Sequence, residues 1–598
     1  MLSPDARTVA TEILRPPPGY RLNRAVMTTY TLDLEVLLAL PLALLAQTDG
    51  GVEELLEDPL LLLEALREAS DRIHVFVDEA GIAIPNVPRE LYAALESSVH
   101  PARAPGGGAF HPKVWVTRFL DDNDEPLLRV AVASRNLTFD RSWDVALVSE
   151  APPGKEPEAA SQGLADLVRR LPDLGRAALE PQLDGALQET ADELARTLFP
   201  APDGFQGPVA FHALGVDGAS NGLWQPVEGA QRLLAVAPFV GKGALDGLAG
   251  QGAEALCLVS RAEALDAQSE EALAPWTDQQ VLMESALDES GDDTAGRPSG
   301  LHAKLIAAEY ADRVQWYLGS ANLTPAAFRG HNVEMMARLD ASLKATNSDS
   351  GAGIDAFWDA GFVNLCMPYR RHEAAEEDSA TQEARRALEK QRDALIDAGL
   401  TIRCSLGESS WQWRIEGTLP TEPGVAVEAW PVTVSSDQAR PWTEAGEWSL
   451  PMERLTAFVA FRLRSESEVD DLTLVAKLSA EGLPDGRMQR VLRTLINSPE
   501  RFLAFLRALL GGLESLVDWA ETGGQEGQRQ DRGVPLQAET ILEDLLRAAS
   551  RDPGRLETVR RLVEDLAEEG AEGEGIVPAD LYTIWQAVDA ALQRESHS

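Results

Sequence analysis

The stretch "GLHAKLIAAEYADRVQWYLGSANLT", residues 300–324, carries a His and a Lys two positions apart and, shortly afterwards, a Ser and an Asn two positions apart. A second stretch, "AFHPKVWVTRFLDDNDEPLLRVAVASRNLT", residues 109–138, has the same parts in the same order. The spacing from His to Ser is 23 residues in the earlier stretch and 18 in the later one. We expect a longer hairpin turn at "DDNDEP", residues 121–126, to absorb the difference.

Both stretches follow similar runs of strand-like and helix-like sequence. Segments such as "AVMTTYTL" and "DRIHVFVDEA" precede the first stretch, and "QRLLAVAPFV" and "EALCLVSRAEAL" precede the second, each alternating with helical patterns. Such alternation is typical of an α/β fold. The sequence therefore predicts two copies of one α/β unit, residues 1–205 and 206–372.

The remainder of the chain has a different character. Residues 373–400 form a charged helical pattern, which predicts a connector. Residues 401–485 alternate with period two and predict a small β-sandwich-like domain, and residues 486–598 predict a helical C-terminal region. Since no catalytic pattern is visible after residue 372, we expect this third of the chain to bind a partner or to position a substrate.

Charge and apolar content limit the classes of function. The net charge of −43 repels polyanions at long range, yet residues 101–120 contain three basic residues and no acid. The start of the chain shows no secretory signal, and its most apolar run, residues 36–46, is too short for a membrane span. The three cysteines lie far apart in the sequence, which does not match the close spacing typical of a zinc site. We expect a cytoplasmic protein that does not use a membrane.

The repeated residues have the chemistry of phosphoryl transfer. Side chains at i and i+2 of a strand share one face, so each His-Lys pair can address one phosphate. Two imidazoles can divide the roles of nucleophile and general acid, while lysine and asparagine donors neutralise the oxyanions. The predicted catalytic residues are His111, Lys113, Ser134, Asn136, His302, Lys304, Ser320 and Asn322.

Further polar residues recur near the two motifs. Asp144 and Glu334 lie 33 and 32 residues after the histidines of their own stretches, an offset that suits a carboxylate orienting each imidazole. Three arginines, Arg135, Arg141 and Arg329, lie close to the motifs in sequence and are predicted to bind substrate.

The doubled H-x-K…S-x-N set resembles the signature of the phospholipase D superfamily, over roughly residues 20–372. The resemblance implies two similar domains, each a mainly β sheet flanked by helices, which share one active site at a pseudo-twofold interface. It implies no metal ion and no other cofactor. It also implies a covalent phosphohistidine, with His111 as the nucleophile and His302 as the acid, or the reverse.

Departures from the family pattern indicate a branch within it. Glu309 stands where the family often has Asp, Arg118 stands there in the first stretch, and Ala133 replaces the usual Gly. Absence of that Asp is similar to tyrosyl-DNA phosphodiesterases and some nuclease branches, which favours these over a lipid phospholipase.

We therefore predict a metal-independent phosphodiesterase, a nuclease acting on DNA or RNA. A partner such as a helicase or another complex subunit is expected to bind the C-terminal region and bring substrate. Family-level analogy points to a bacterial anti-phage or restriction-like system. Two alternatives stay open: a phospholipase D-type lipid hydrolase or phosphatidyltransferase, and a scaffold subunit whose site has decayed.

Overall fold

The computed structural model describes residues 13–45, 71–139, 141–283, 299–343, 352–372, 379–442, 446–467 and 469–496. Beyond these it describes only scattered positions between 502 and 588, so most of the predicted C-terminal helical region lies outside the described residues.

The first lobe is built on a six-stranded sheet in the order β3-β2-β1-β4-β5-β7. Its first three strands are parallel, and the others are antiparallel to their neighbours. The strands β2 and β4 are buried along their whole length, since both faces of the sheet are covered. The strands are β1 (Arg21–Thr29), β2 (Ile73–Asp78), β3 (Val99–Ala102), β4 (Val114–Leu120), β5 (Pro126–Ala133) and β7 (Ala146–Ala151), with a short β6 (Arg141–Trp143) outside the sheet.

The second lobe repeats this topology. Its eight-stranded sheet has the order β16-β11-β10-β9-β13-β14-β15-β8, and the six inner strands from β11 to β15 match β3 to β7 of the first lobe in order and direction. The predicted α/β repeat is therefore confirmed. The strands are β8 (Gln206–Leu214), β9 (Arg232–Val236), β10 (Ala255–Ser260), β11 (Asp278–Leu282), β13 (Leu305–Glu309), β14 (Arg313–Gly319), β15 (Glu334–Ser342) and β16 (Cys366–Pro368), with a short β12 (Ser299–Leu301).

The length difference between the two motifs is only partly in the turn. The β4–β5 turn covers residues 121–125 and the β13–β14 turn covers residues 310–312, so the first is longer as predicted. The expectation that the turn absorbs the whole difference is wrong. The strands beside it, β4 and β5, are also longer in the first lobe than β13 and β14 in the second.

Helices pack around both sheets. The amphipathic pair α2 and α3 packs together, and α2 also contacts β8, where it buries a stripe of leucines. The helices are α1 (Leu34–Leu45), α2 (Gln162–Leu174), α3 (Pro181–Leu194), α4 (Lys242–Ala249), α5 (Ala262–Asp266), α6 (Glu270–Leu273), α7 (Pro325–Phe328), α8 (Ile354–Asp359), α9 (Ser379–Asp397) and α10 (Arg487–Leu495). Across residues 13–496 and the scattered later positions, none of the described helices has the length and apolar character needed to span a bilayer.

Two four-stranded sheets follow the connector helix α9. Their orders are β21-β18-β17-β24 and β20-β19-β22-β23, and both share a hydrophobic cluster with the first lobe. Trp413, Trp430 and Trp448 are buried in that cluster. The strands are β17 (Thr401–Leu406), β18 (Trp411–Glu416), β19 (Val425–Pro431), β20 (Arg440–Pro441), β21 (Glu447–Leu450), β22 (Phe458–Ser465), β23 (Leu472–Lys477) and β24 (Ser479–Glu481).

Candidate active site

Each motif histidine lies on an extended segment that is hydrogen-bonded to the opposite lobe. The His111 amide donates to the Val333 carbonyl, and the His302 amide donates to the Trp143 carbonyl, both at 3.0 Å. The segment before His302 is β12, which pairs in parallel with β6 of the first lobe. These pairings bring the two histidine segments to one interface between the lobes.

Two carboxylates hold the two imidazoles across that interface. Glu334 Oε2 lies 2.8 Å from His111 Nδ1, and Asp144 Oδ1 lies 3.0 Å from His302 Nδ1. Each carboxylate therefore serves the histidine of the other lobe. The pairing within one stretch that the similar offsets suggested is wrong, because Asp144 follows β6, which pairs with the segment before His302, and Glu334 follows Val333, which bridges Phe110.

Two serines complete a symmetric arrangement. Ser134 Oγ donates to Asp144 Oδ1 at 2.8 Å, and Ser320 Oγ donates to Glu334 Oε2. The site thus contains two Ser–carboxylate–His chains, each beginning in one lobe and ending in the other. With Nδ1 held by a carboxylate, each imidazole leaves its Nε2 for chemistry.

The strand order, the doubled motif and the crossed hydrogen bonds agree. They show two lobes of one α/β topology that share one site. No protein-family model matches the sequence, and no curated protein matches it.

Solved structures resemble the chain in fold. The yeast tyrosyl-DNA phosphodiesterase is similar over 55% of this chain and 84% of its own, with 10% identity and a TM-score of 0.30. A mutant of that enzyme is similar over 56% of this chain and 85% of its own, with 9% identity and a TM-score of 0.33. Polyphosphate kinase from Porphyromonas gingivalis is similar over 64% of this chain and 50% of its own, with 10% identity and a TM-score of 0.30. Likenesses at this level describe the fold alone.

The two motif lysines contact the backbone of the histidine segments. Lys113 Nζ donates to the His111 carbonyl at 2.9 Å, and Lys304 Nζ donates to the His302 carbonyl at 2.5 Å. Both side chains are buried, with 1% of their surface exposed. Burial, followed by the charge of Lys304, lowers the pKa of Lys113 well below its usual range.

The two histidines differ in their electrostatic setting. Burial lowers the pKa of His111 to about 4, and the lysine charges add to that effect while Glu334 opposes it. Burial also lowers the pKa of His302, which its hydrogen bond to Asp144 partly offsets. Burial alone would raise the pKa of Asp144, but the contacts with His302, Ser134 and Arg135 lower it. At neutral pH the unliganded site therefore holds neutral imidazoles beside an ionised Asp144.

The two asparagines differ in their partners. Asn136 Oδ1 accepts from the Thr31 amide at 3.4 Å. Asn322 Oδ1 is buried and has no hydrogen-bond partner within the described part of the chain. A buried polar atom without a partner costs about 1–3 kcal/mol, so the two asparagines of the motifs are not equivalent.

The predicted substrate-binding arginines do not form one cluster around the histidines. Arg135 is half-exposed and its guanidinium lies 3.9 Å from Asp144 Oδ2, with a hydrogen bond to the Thr138 carbonyl at 3.2 Å. Arg329 is exposed at the end of α7. The side chain of Arg141 lies outside the described residues. Substrate binding by all three stays a prediction.

Asn332 is a site residue that sequence reasoning missed. Its Oδ1 accepts from the Ala109 amide at 3.0 Å, and its Nδ2 donates to Glu334 Oε1 at 3.2 Å. Gly108 lies against the same amide, where a Cβ atom would collide with it. Asn332 therefore fixes Glu334 against the opposite lobe. Its position two residues before Glu334 was visible in the sequence, but its partner is 223 residues away.

Asp78 and Tyr30 were also missed. Asp78 Oδ2 accepts from the Phe110 amide at 2.8 Å, and burial raises the pKa of its carboxyl to about 6. The Tyr30 ring lies 5.1 Å from the His111 ring and 5.7 Å from Lys113 Nζ. Both residues follow strands at the edge of the first sheet that faces the site, and only that topology connects them to the motif.

The positions that depart from the family pattern have structural partners. Glu309 accepts from Arg232 Nη1 at 3.0 Å and from the Ile354 amide at 2.7 Å. Arg118 donates to both carboxylate oxygens of Glu193 at 2.8 Å. Their contacts are structural and lie away from the imidazoles. In the described residues no group of three or more His, Cys, Asp or Glu side chains is arranged to hold a metal ion.

Proposed function

We propose that this chain is a phosphodiesterase that cleaves nucleic acid through a covalent phosphohistidine and without a metal ion. The observation that carries the proposal is the pair of crossed Ser–carboxylate–His chains, which brings two imidazoles to one interface beside two buried lysines. Two titratable groups with different environments are what a two-step displacement needs.

His111 acts as the nucleophile in this proposal. Its Nε2 attacks phosphorus, a P–N bond forms, and the bond from phosphorus to the leaving oxygen breaks. The leaving oxygen takes its proton from His302 Nε2. The deeper burial of His111 keeps its imidazole neutral, whereas Asp144 stabilises the imidazolium that His302 needs as an acid.

The second step reverses the proton transfer. His302, now neutral, takes a proton from water, and the hydroxide attacks phosphorus from the side the leaving group vacated. The P–N bond breaks, which returns His111 to its starting state and releases a phosphomonoester. Lys113, Lys304, Asn136 and Asn322 donate to the phosphoryl oxygens, where negative charge grows in both transition states.

Nucleic acid is the proposed substrate because two lysines, Lys113 and Lys304, lie beside the histidines within an acidic chain. The net charge of the whole chain is −43. Such a chain disfavours loose binding of polyanions and gains from a partner that delivers the strand. We propose that a helicase or another complex subunit, bound through the C-terminal region, does so in a bacterial defence system.

A substrate panel tests the reaction and its substrate class. The purified chain is incubated in EDTA with labelled single- and double-stranded DNA and RNA, and separately with phosphatidylcholine vesicles. Cleavage of nucleic acid by the wild type and its loss in His302→Asn is the expected result. Cleavage of lipid alone would establish the phospholipase alternative, and activity that requires an added metal would overturn the mechanism. No cleavage of any substrate would favour a decayed scaffold.

A further inference from the structure

Because the two lobes share one strand topology, each residue near one half of the site has a structurally equivalent residue near the other half. β1 pairs with β4 as β9 pairs with β13, and β1 pairs with β2 as β9 pairs with β10. Counting from these registers, Phe239 is the counterpart of Thr31. Arg261 is likewise the counterpart of Asp78.

The counterparts contact the histidine segments in opposite ways. Asp78 accepts a hydrogen bond from the amide of Phe110, the residue before His111. Arg261 Nε donates to the carbonyl of Leu301, the residue before His302, at 2.9 Å. In the described part of the chain the two terminal nitrogens of Arg261 form no hydrogen bond. At this pair of positions the site therefore has a carboxyl group beside the His111 segment and a guanidinium beside the His302 segment.

An exposed aromatic ring accompanies that cation. Phe239 is 51% exposed, and the Arg261 guanidinium lies 5.3 Å from the centre of its ring. Single exposed apolar side chains are common and imply nothing by themselves. Here, however, the ring pairs with a guanidinium that contacts the segment carrying a predicted catalytic histidine.

The backbone under Phe239 is fixed to the second motif. Val240 bridges Leu323, the residue after Asn322, and the Gly241 amide donates to the Leu323 carbonyl at 2.8 Å. Gln268 Nε2 donates to the Val240 carbonyl at 3.2 Å. These hydrogen bonds fix the backbone that carries the Phe239 ring next to Asn322. The Oδ1 atom of Asn322 is buried and has no partner in the described residues.

We propose that Phe239 and Arg261 form a platform for the nucleobase on the leaving-group side of the scissile phosphate. The ring stacks on the base, and the guanidinium contacts the neighbouring phosphate. The inference rests on the proposed nuclease function and on His302 as the acid. Since a stacked base must be unpaired to reach the ring, the platform gives the site a preference for single strands.

Binding measurements test the platform without cleavage. A fluorescent single-stranded oligonucleotide is titrated against the full chain carrying His111→Asn, so that the substrate stays intact. Phe239→Ala is expected to raise Kd about 10-fold, and Phe239→Trp to restore it, because stacking on any aromatic ring suffices. Arg261→Gln is expected to raise Kd and to reduce the slope of log Kd against log salt by about 1. Met367→Ala, which removes a side chain 49% exposed on β16, is the matched control.

An abasic substrate separates stacking from a general structural effect. A single abasic position is moved along the oligonucleotide. At one position it is expected to weaken binding to the protein that retains Phe239 but not to the Phe239→Ala variant. If Phe239→Ala binds like Met367→Ala, or if every abasic position affects both proteins equally, the platform is wrong. Failure of the proposed function is distinguished by the substrate panel, in which the protein with intact Phe239 and His111 would cleave no nucleic acid.

Discussion

At the scale of single residues, the two histidines owe their different roles to the carboxylates that cross between the lobes. Glu334 holds His111, and Asp144 holds His302, each through Nδ1. A hydrogen-bonded carboxylate fixes the tautomer and stabilises the charged imidazole, and loss of such a partner of a catalytic histidine can cost up to about 10⁴-fold in activity. Because each carboxylate holds a different histidine, replacing one or the other should affect different steps of the reaction.

Replacing the carboxylates is expected to separate the two steps. With a p-nitrophenyl phosphodiester, whose leaving group needs no acid, Asp144→Asn is expected to slow only hydrolysis of the phosphoenzyme, by roughly 10²–10⁴-fold. The intermediate then accumulates. Glu334→Gln is expected to slow its formation instead. Rapid-quench kinetics measure both, and the opposite result would mean that the roles of the two histidines are exchanged.

The pH dependence of kcat/KM follows from the same residues. His111 must be neutral to attack, and its lowered pKa of about 4 leaves it neutral above that pH. His302 must be protonated to act as the acid, and its pKa is also lowered. We expect a bell-shaped profile with an acid limb near pH 4 and an alkaline limb below 6.5, as properties of the coupled pair. A rate that rises monotonically from pH 5 to 8 would contradict this assignment.

At the level of strands, the sequence predicted the repeated motifs but not the hydrogen bonds that cross between the lobes. The His-Lys and Ser-Asn pairs, and the strands that carry them, were predictable because two stretches of the sequence share one order of residues. The pairing of Glu334 with His111 was not, because it depends on the bridge between Val333, just before β15, and Phe110 of the opposite lobe. The same holds for Asn332 and Asp78, which reach the site through register alone.

The strands β2 and β3 carry a second histidine pair with a consequence for stability. His74 Nδ1 lies 3.3 Å from His100 Nε2, and burial lowers the two pKa values to about 4 and about 3. A histidine whose pKa is lowered by folding binds fewer protons in the native state than in the unfolded state. Protonation therefore favours the unfolded state, and the free energy of unfolding decreases as the pH falls below 6.5.

We therefore expect the Tm to fall as pH decreases from 6.5 toward 4. His100→Phe keeps a ring beside Phe76 and removes one titrating group, so its Tm should fall less steeply, with roughly 1.4 kcal/mol recovered per unit of pKa shift removed. Calorimetry across that pH range measures the difference. Parallel curves for the two proteins would exclude a role for this pair.

At the scale of the whole molecule, Glu96 joins the first lobe to the β-rich domain. Its side chain accepts from Arg487 at 3.0 and 3.2 Å, from Thr456 Oγ1 at 3.0 Å and from the Ala457 amide at 2.8 Å. Lys477 Nζ adds a hydrogen bond to the Val99 carbonyl at 2.8 Å. These contacts and the shared hydrophobic cluster hold the β-rich domain on the face of the first sheet.

Glu96→Ala leaves a largely buried guanidinium and an amide without their acceptor. We expect it to lower the free energy of unfolding by roughly 2–4 kcal/mol, measured by urea denaturation. The control is Asp173→Ala, which removes an exposed ion pair with Arg170 and should change stability by less than about 1 kcal/mol. Equal effects of the two substitutions would mean that Glu96 does not join the lobe to the domain.

The proposed mechanism requires a covalent phosphohistidine, and peptide mapping shows which histidine carries it. A phosphodiester labelled with ³²P is mixed with enzyme in EDTA, quenched in base within one turnover and digested for peptide mapping. We expect acid-labile label on the peptide that contains His111, retained in Asp144→Asn and absent from His111→Asn. Label on the peptide that contains His302, or turnover with no labelled peptide, would rule out His111 as the nucleophile.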